Sequence, residues 1–255
     1  MKLRITSIQN LIVFLKKLKS VDKSVILEIT DEILFSKVHT PDKSVMKYVG
    51  VPLEDVLEGE VDWKKYKNGR VKIGIIDVTR LMEAFKHFRP EEDVYIDIKV
   101  ESVDNQSVAT EIKLNSASLS IKIRCADLSL LSYVEDSVLE LVHSKEDYNS
   151  TFKIYQSDFT TLLSLCGLEN NSEEILLFEV NKDNVYGKGE SFSYKLNLGP
   201  AEITIVDEDS ATPGIYKNQL SNMESETCEV YVHSNRLVLV SEQTSTSIAI
   251  GLVER

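Results

Sequence analysis

The sequence predicts an α+β protein of two tandem domains built on one plan. Three observations predict it. The chain has 255 residues, about twice the size of a typical domain. A programme of strand, helix, strands, helix, strands runs to about Asp127 and restarts at Phe152. Charge divides at the same place: residues 1–127 carry 21 Lys+Arg and 20 Asp+Glu, a net +1, while residues 128–255 carry 8 and 21, a net −13, together the −12 of the chain. The domains are expected at 1–127 and 151–255, with 128–150 as connector.

The first half opens on a short strand, Lys2 to Ile5, and a helix with Ser7 as N-cap and Ile8, Leu11, Ile12 and Leu15 on one face. At 100° per residue Asn10 and Lys17 fall opposite that face, with Lys16 on its flank. Val25–Ile29 and Ile33–Val38 read as a hairpin across Thr30-Asp31-Glu32, and the Thr40-Pro41-Asp42 turn leads to a strand from Val45 to Val51. A polar loop from Glu54 to Gly69 holds the single tryptophan; Trp63-Lys-Lys-Tyr66 suits base stacking, but an aromatic anchoring a surface loop is the simpler reading. After a strand from Val71 to Ile76, Asp77 caps a second helix with an apolar stripe of Val78, Leu81, Met82, Phe85 and Phe88, opposite Arg80, Glu83 and His87. Strands at Val94–Val100, Val108–Leu114 and Leu119–Cys125 finish the half.

Leu128-Ser-Leu-Leu131 gives the connector an apolar start before a polar, acidic run to Ser150. In the second half, Phe152–Tyr155 is a strand, and a helix capped by Ser157 carries Phe159, Leu162, Leu163 and Cys166 and ends at Gly167. Strands are expected at Ile175–Val180, Val185–Tyr186, Tyr194–Leu198 and Ile203–Val206, a second helix from Ile215 to Met223, and three closing strands at Val230–Val232, Leu237–Val240 and Ile248–Val253. Leu27-Glu-Ile-Thr-Asp-Glu-Ile-Leu34 and Phe178-Glu-Val-Asn-Lys-Asp-Asn-Val185 even share local pattern.

Composition excludes several classes. With 42% hydrophobic and 27% charged residues the chain is neither collagenous nor disordered, and no apolar run reaches a membrane span. The burst from Leu11 to Leu15 stops at Lys16, too soon for a signal sequence. Cys125, Cys166 and Cys228 are odd in number and widely spaced, the pattern of reduced core thiols in a cytoplasmic protein. Tight direct DNA binding needs a basic surface, which an acidic total opposes; encirclement needs only a few basic groups facing the duplex. No enzyme is indicated. His39, His87, His143 and His233 lack metal-ligand spacing, Gly187-Lys-Gly189 fits a hairpin turn, Asp207-Glu-Asp209 fits a solvated turn, and no nucleophile motif occurs. Neither a cofactor nor a metal is expected.

The opening helix, Val25-Ile-Leu-Glu-Ile-Thr-Asp-Glu-Ile-Leu-Phe-Ser-Lys-Val38, the strand before the Asp77 helix, the connector, and Tyr231-Val-His-Ser-Asn-Arg-Leu-Val-Leu-Val240 with Ile248-Ala-Ile-Gly251 together resemble the processivity-clamp family, which includes proliferating cell nuclear antigen and the clamps of tailed bacteriophages. The resemblance is one of layout and covers nearly the whole chain. It implies two clamp-type domains per chain, sheets outside and two helices lining the hole, in a homotrimeric ring around duplex DNA, with a DNA polymerase and a clamp loader as partners. For a viral chain the host cytoplasm is implied. The DNA-facing residues it implies are Lys16, Lys17, Arg80, Lys86 and Lys217, while Thr161 and Ser164 leave the Ser157 helix without charge, closer to acidic phage clamps. The partner pocket it implies comprises Leu128, Leu130 and Leu131 with Val45, Ala249, Gly251 and Val253. Subunits are implied to meet edge to edge between Leu119, Ile121 and Ile123 and the Val185–Ser191 segment holding Val185 and Gly187. A monomeric structural or adaptor protein with duplicated α+β domains, and a monomeric clamp relative that binds DNA directly, are the alternatives.

Overall fold

The computed structural model describes residues 1–89, 91–166, 175–181, 183–189, 194–203, 212–224 and 226–253. The chain divides into two units, Met1–His39 with Tyr48–Val134, and Thr40–Lys47 with Glu135–Arg255.

In the first unit the elements are β1 (Lys2–Ile5), α1 (Ile8–Lys19), β2 (Val25–Ile29), β3 (Ile33–His39), β4 (Val45–Pro52, its first residues belonging to the second unit), β5 (Leu57–Glu58), β6 (Val71–Ile75), α2 (Val78–Lys86), β7 (Tyr95–Val103), β8 (Gln106–Asn115) and β9 (Ser120–Arg124). Strand order is β4-β3-β2-β6-β8-β7-β1-β5. β8 divides its edge: Val108 and Ala109 pair in parallel with Lys72 and Ile73 of β6, and Glu111 to Asn115 pair antiparallel with β9. Both helix starts follow capping chemistry. The Ser7 side chain accepts the Asn10 N–H at 3.1 Å, and the Asp77 carboxylate accepts the Thr79 N–H at 2.8 Å. α1 and α2 lie side by side and bury Leu11, Phe14, Leu15, Leu18, Leu81 and Phe85 against the inward residues of the sheet.

All five residues of β2 are buried, so its second face is also covered. The cover is the segment after β9. Ala126 donates its N–H to the Gly74 carbonyl at 2.9 Å, and a Cβ at Gly74 would stand 2.5 Å from the Ala126 carbonyl oxygen, which makes glycine necessary at that crossing.

The second unit contains α3 (Asp136–Val142), β10 (Ser150–Ile154), α4 (Gln156–Cys166), β11 (Ile175–Val180), β12 (Val185–Gly189), β13 (Lys195–Gly199), β14 (Ala201–Ile203), β15 (Gly214–Tyr216), α5 (Lys217–Leu220), β16 (Cys228–Val232), β17 (Arg236–Ser241) and β18 (Ser245–Gly251). Its strands run β14-β10-β16-β17-β18 in one sheet and β13-β12-β11-β15 in another. The donated segment completes the first: Ser44 accepts the Gly251 N–H at 2.8 Å, and Val45 is fully buried in this unit's core.

Several sequence expectations need correction. The helix expected over Ile215–Met223 is only four residues long, because Ile215 is spent in β15 against Leu176. Ser157 lies inside α4, which begins at Gln156. Gly187 and Gly189 belong to β12; the turn before it runs from Asn181 to Asn184, with the Asn181 N–H bonded to the Asn184 carbonyl at 3.1 Å. The connector contains α3, whose Val142 carbonyl accepts a hydrogen bond from the Arg236 guanidinium at 2.8 Å. Gly167, Asp207-Glu-Asp209 and the end of the Ile203–Val206 strand lie outside the described residues.

Candidate nucleic-acid and partner interfaces

The exposed face of the α1 and α2 pair is the basic one. Lys16 and Lys19 are exposed on α1, and Arg80, Lys86 and His87 are exposed on or just after α2. Each α2 cation has a local acidic neighbour, Arg80 with Asp77 at 3.7 Å and Lys86 with Glu83 at 2.6 Å. The Lys86 hydrogen bond holds the Glu83 carboxyl below its ordinary range, aided by the charges of Lys86, His87 and Lys19. Such exposed pairs are weak and exchange readily for other anions.

Lys17 does not join this face. It is 4% exposed, against the expectation that it points away from the core. The stripe read from sequence omitted Phe14 and Leu18, both buried; Phe14 stands one turn before Lys17, and on the same flank Asn10 donates its amide to the Asp55 carbonyl at 3.2 Å. Lys19, of which the sequence reading said nothing, is exposed in the last turn of α1. In the second unit Lys217 is half-buried on the short α5. The exposed positions of α4 include Ser157, Thr160, Thr161 and Ser164, and the two threonine hydroxyls donate back to the Gln156 and Ser157 carbonyls at 2.9 Å. This helix offers no charge outward apart from partly exposed Asp158.

Strand edges are the second feature. β9 pairs with β8 on one side only, and Ile121 and Ile123 alternate with exposed Ser120, Lys122 and Arg124 along it. The expected partner segment fails as an edge. Val185–Gly189 is β12, flanked by β11 and β13; Val185 is buried, and a Cβ at Gly187 would meet Leu162 of α4 at 2.8 Å. Among the described residues the terminal strands of that sheet are β13, which pairs only with β12, and β15, which pairs only with β11. Counting strands in order of hydrophobic pattern could not separate β12 from β13, since both are short.

The predicted pocket residues have different fates. Leu128 and Leu131 are half-buried in the first unit, where Leu131 packs over Gly74 and Leu128 lines a groove of about 430 Å³ with Val108, Cys125 and Ala126. Leu130 is 77% exposed. Val45 and Ala249 are buried core residues of the second unit and present nothing to a partner. Gly251 and Val253 are half-buried and spend their N–H groups on Ser44 and Gly214. Trp63 packs against the core and meets Tyr66 edge-on at 6.0 Å, the anchored-loop arrangement.

An unanticipated cluster lies on the outer side of β2, β3 and β6. Glu28 is 1% exposed and ion-paired to Lys37 at 3.2 Å and Arg70 at 2.9 Å. Tyr133, at the end of the segment covering that face, receives a hydrogen bond from Lys72 and has the Lys37 ammonium 5.0 Å from its ring centre. Among the described residues no group of His, Cys, Asp or Glu is placed to hold a metal ion, and no helix is long and apolar enough to cross a membrane.

No family model and no curated protein sequence matches the chain. Solved structures do. The A. fulgidus PCNA bound to the C-terminal region of FEN-1 matches with a TM-score of 0.68 and 13% identity, over 100% of this chain and 99% of that one. The Entamoeba histolytica proliferating cellular nuclear antigen matches with a TM-score of 0.70 and 11% identity, over 99% and 98%. A putative DNA polymerase III beta subunit from Eubacterium rectale matches at 0.69 and 11%, over 99% of this chain and 66% of that one. At such identities the likeness speaks for fold, and it does so from end to end: the chain has the sliding-clamp fold of PCNA and the beta clamps, with two clamp-type domains.

Proposed function

We propose that this protein is a DNA sliding clamp, a ring that encircles duplex DNA and tethers a DNA polymerase to it. The observation that carries the proposal is that the clamp fold here leaves strand edges open in both units, among them β9 in the first and β13 in the second. Head-to-tail pairing of two unlike edges closes a ring when the rotation per subunit divides the circle, and it removes edges that otherwise invite aggregation. Three copies are proposed.

The basic face of α1 and α2 supports the DNA role. Phosphate contacts from Lys16, Lys19, Arg80 and Lys86 carry no sequence information and permit sliding, and the pairing of Arg80 with Asp77 and of Lys86 with Glu83 keeps those two contacts weak. Retention then depends on topology, consistent with a protein of net charge −12. A ring opened by a clamp loader and a polymerase bound at its rim complete the proposal; no catalytic step belongs to the chain.

Light scattering tests closure. Three chains of 28.8 kDa give about 86 kDa, whereas a mass near 29 kDa supports a monomeric adaptor or a monomeric DNA-binding relative. Retention on circular DNA that is lost when the circle is cut tests encirclement.

A further inference from the structure

We infer that the segment from Asp136 to Asp147 is an acid-sensitive catch: His143 and His233 take up protons by releasing it from a second unit that otherwise stays folded. α3 has seven residues, too few to persist as an isolated helix, so its order depends on what holds it. The hold is at its C-terminal end. The Arg236 guanidinium donates to the Val142 carbonyl at 2.8 Å and to the Leu141 carbonyl at 3.1 Å, placing a cation on the negative end of the helix. His143 donates its backbone N–H to the Leu139 carbonyl at 2.8 Å, and its Nδ1 lies 2.7 Å from the Ser247 hydroxyl of β18. His233, between β16 and β17, is 4% exposed and sits against the same segment, with the Ser144 and Asp147 carbonyls beside it.

Both rings are seated to be neutral. The Nε2 atom of each is shut off from solvent and makes no hydrogen bond, so a proton placed there finds no acceptor. Burial holds both histidines below their ordinary range, and the Arg236 charge, which acts on both, works in the same sense. The groups that oppose are the Met46 carbonyl at His143, and at His233 the Ser144 and Asp147 carbonyls with the Asp147 carboxylate. Opening the segment relieves both rings together, because His143 belongs to it and Ser144 and Asp147 leave with it. Histidines freed in this way bind protons that the closed form refuses, so the closed form is complete at neutral pH and yields as pH falls. The rest of the unit has its own ladders: Ile154, Val230, Leu237 and Ile248 are fully buried in paired strands β10, β16, β17 and β18. Release stops where the Tyr148 ring meets Tyr231 edge-on at 5.3 Å and the Asn149 N–H bonds the Val232 carbonyl at 2.7 Å. The inference concerns the second unit alone and does not require the ring to close.

The test is methyl NMR of the full chain, with the histidine ring signals followed in the same samples from about pH 7 to about pH 4. The signals of half-buried Leu139 and Val142 are expected to move to random-coil positions as pH falls, while those of Ile154 and Ile248 stay in place. The open-to-closed ratio should rise by up to about a hundredfold per pH unit, the slope of two protons. His143→Asn and His233→Asn should each reduce that to about tenfold, and the double variant should remove it. Asparagine is neutral throughout, so each variant should give the wild-type Leu139 and Val142 signals at neutral pH. Loss of the Ile154 and Ile248 signals together with those of Leu139 overturns the inference in favour of general acid unfolding. A double variant that keeps the wild-type pH dependence overturns it too. The wild-type ring titration needs no variant: histidines that gain their protons while Leu139 and Val142 stay in place overturn the catch, and protonation in step with release supports it.

Discussion

The Lys72 ammonium lies 4.1 Å from the centre of the Tyr133 ring and donates to the Tyr133 hydroxyl at 3.0 Å, so the segment that covers the outer face of the first unit ends on a cation. Lys37 approaches the same ring, and its partner Glu28 sits beneath. Tyr133→Leu removes the ring and the hydroxyl acceptor together. It should cost about 1–2 kcal/mol. Hydrogen exchange should quicken from Ser129 to Val134 while α1 and α2 keep their protection; uniform exchange across the unit would refute a local latch.

Removing the charge under that latch should cost more. Glu28→Gln leaves Lys37, which is 3% exposed, buried without its carboxylate. Breaking a buried pair from one side costs about 3–5 kcal/mol, to be read from urea unfolding. A loss below about 1 kcal/mol would mean that the Tyr133 ring and water already satisfy the Lys37 ammonium.

Ring closure makes a strand-specific prediction. Ile121→Pro in β9 deletes an N–H and should lower the mass from trimer to monomer, and Leu196→Pro in β13 should do the same. Circular dichroism must show both variants folded. A folded Leu196→Pro trimer would move the second edge elsewhere.

For the basic face, Lys16→Glu with Arg80→Glu should leave the assembly intact and reduce processive synthesis, with the defect growing as salt is lowered. Lys113→Glu, exposed on β8, is the control. Lys47 cannot serve, since it is fully buried and its ammonium donates to the Asn222 carbonyl at 2.6 Å. Impairment by Lys113→Glu equal to that of the helix pair would remove the proposed role of α1 and α2.

His143 makes stability depend on pH. Burial pushes its imidazole down to about 4, the Met46 carbonyl opposing and the Arg236 charge assisting. A depressed histidine is neutral when folded, so its contribution is complete above pH 6.5 and is lost as pH falls towards 4. The loss should approach about 3 kcal/mol. His143→Asn should flatten the melting temperature across that window; an unchanged slope would assign it to other groups.

Much of the fold was legible because it rests on short-range signals. Ser7 and Asp77 cap where their side chains suggested, and the α2 stripe from Val78 to Phe88 is buried as its spacing requires. The interfaces were less legible, for identifiable reasons. Lys17 is buried on the flank of α1 that also buries Phe14 and Leu18, a tertiary cover that helical spacing cannot report. Edge status belongs to the pairing of distant strands, so β12 and β13 could not be told apart. α3 escaped notice because its acidic side chains resemble a solvated linker, and its principal anchor, Arg236, is 94 residues from Val142.

The exchange of Thr40–Lys47 into the second unit bears on how the protein is made. Synthesis delivers this segment about 200 residues before β18, whose Gly251 N–H its Ser44 carbonyl accepts. The first half can therefore compact before the ribosome finishes, but its eight donated residues must wait for a sheet not yet translated. A gene cut at the apparent linker would yield neither half whole: the amino-terminal piece would carry an orphan ribbon, and the carboxy-terminal piece would expose the flank of β18 to any passing strand.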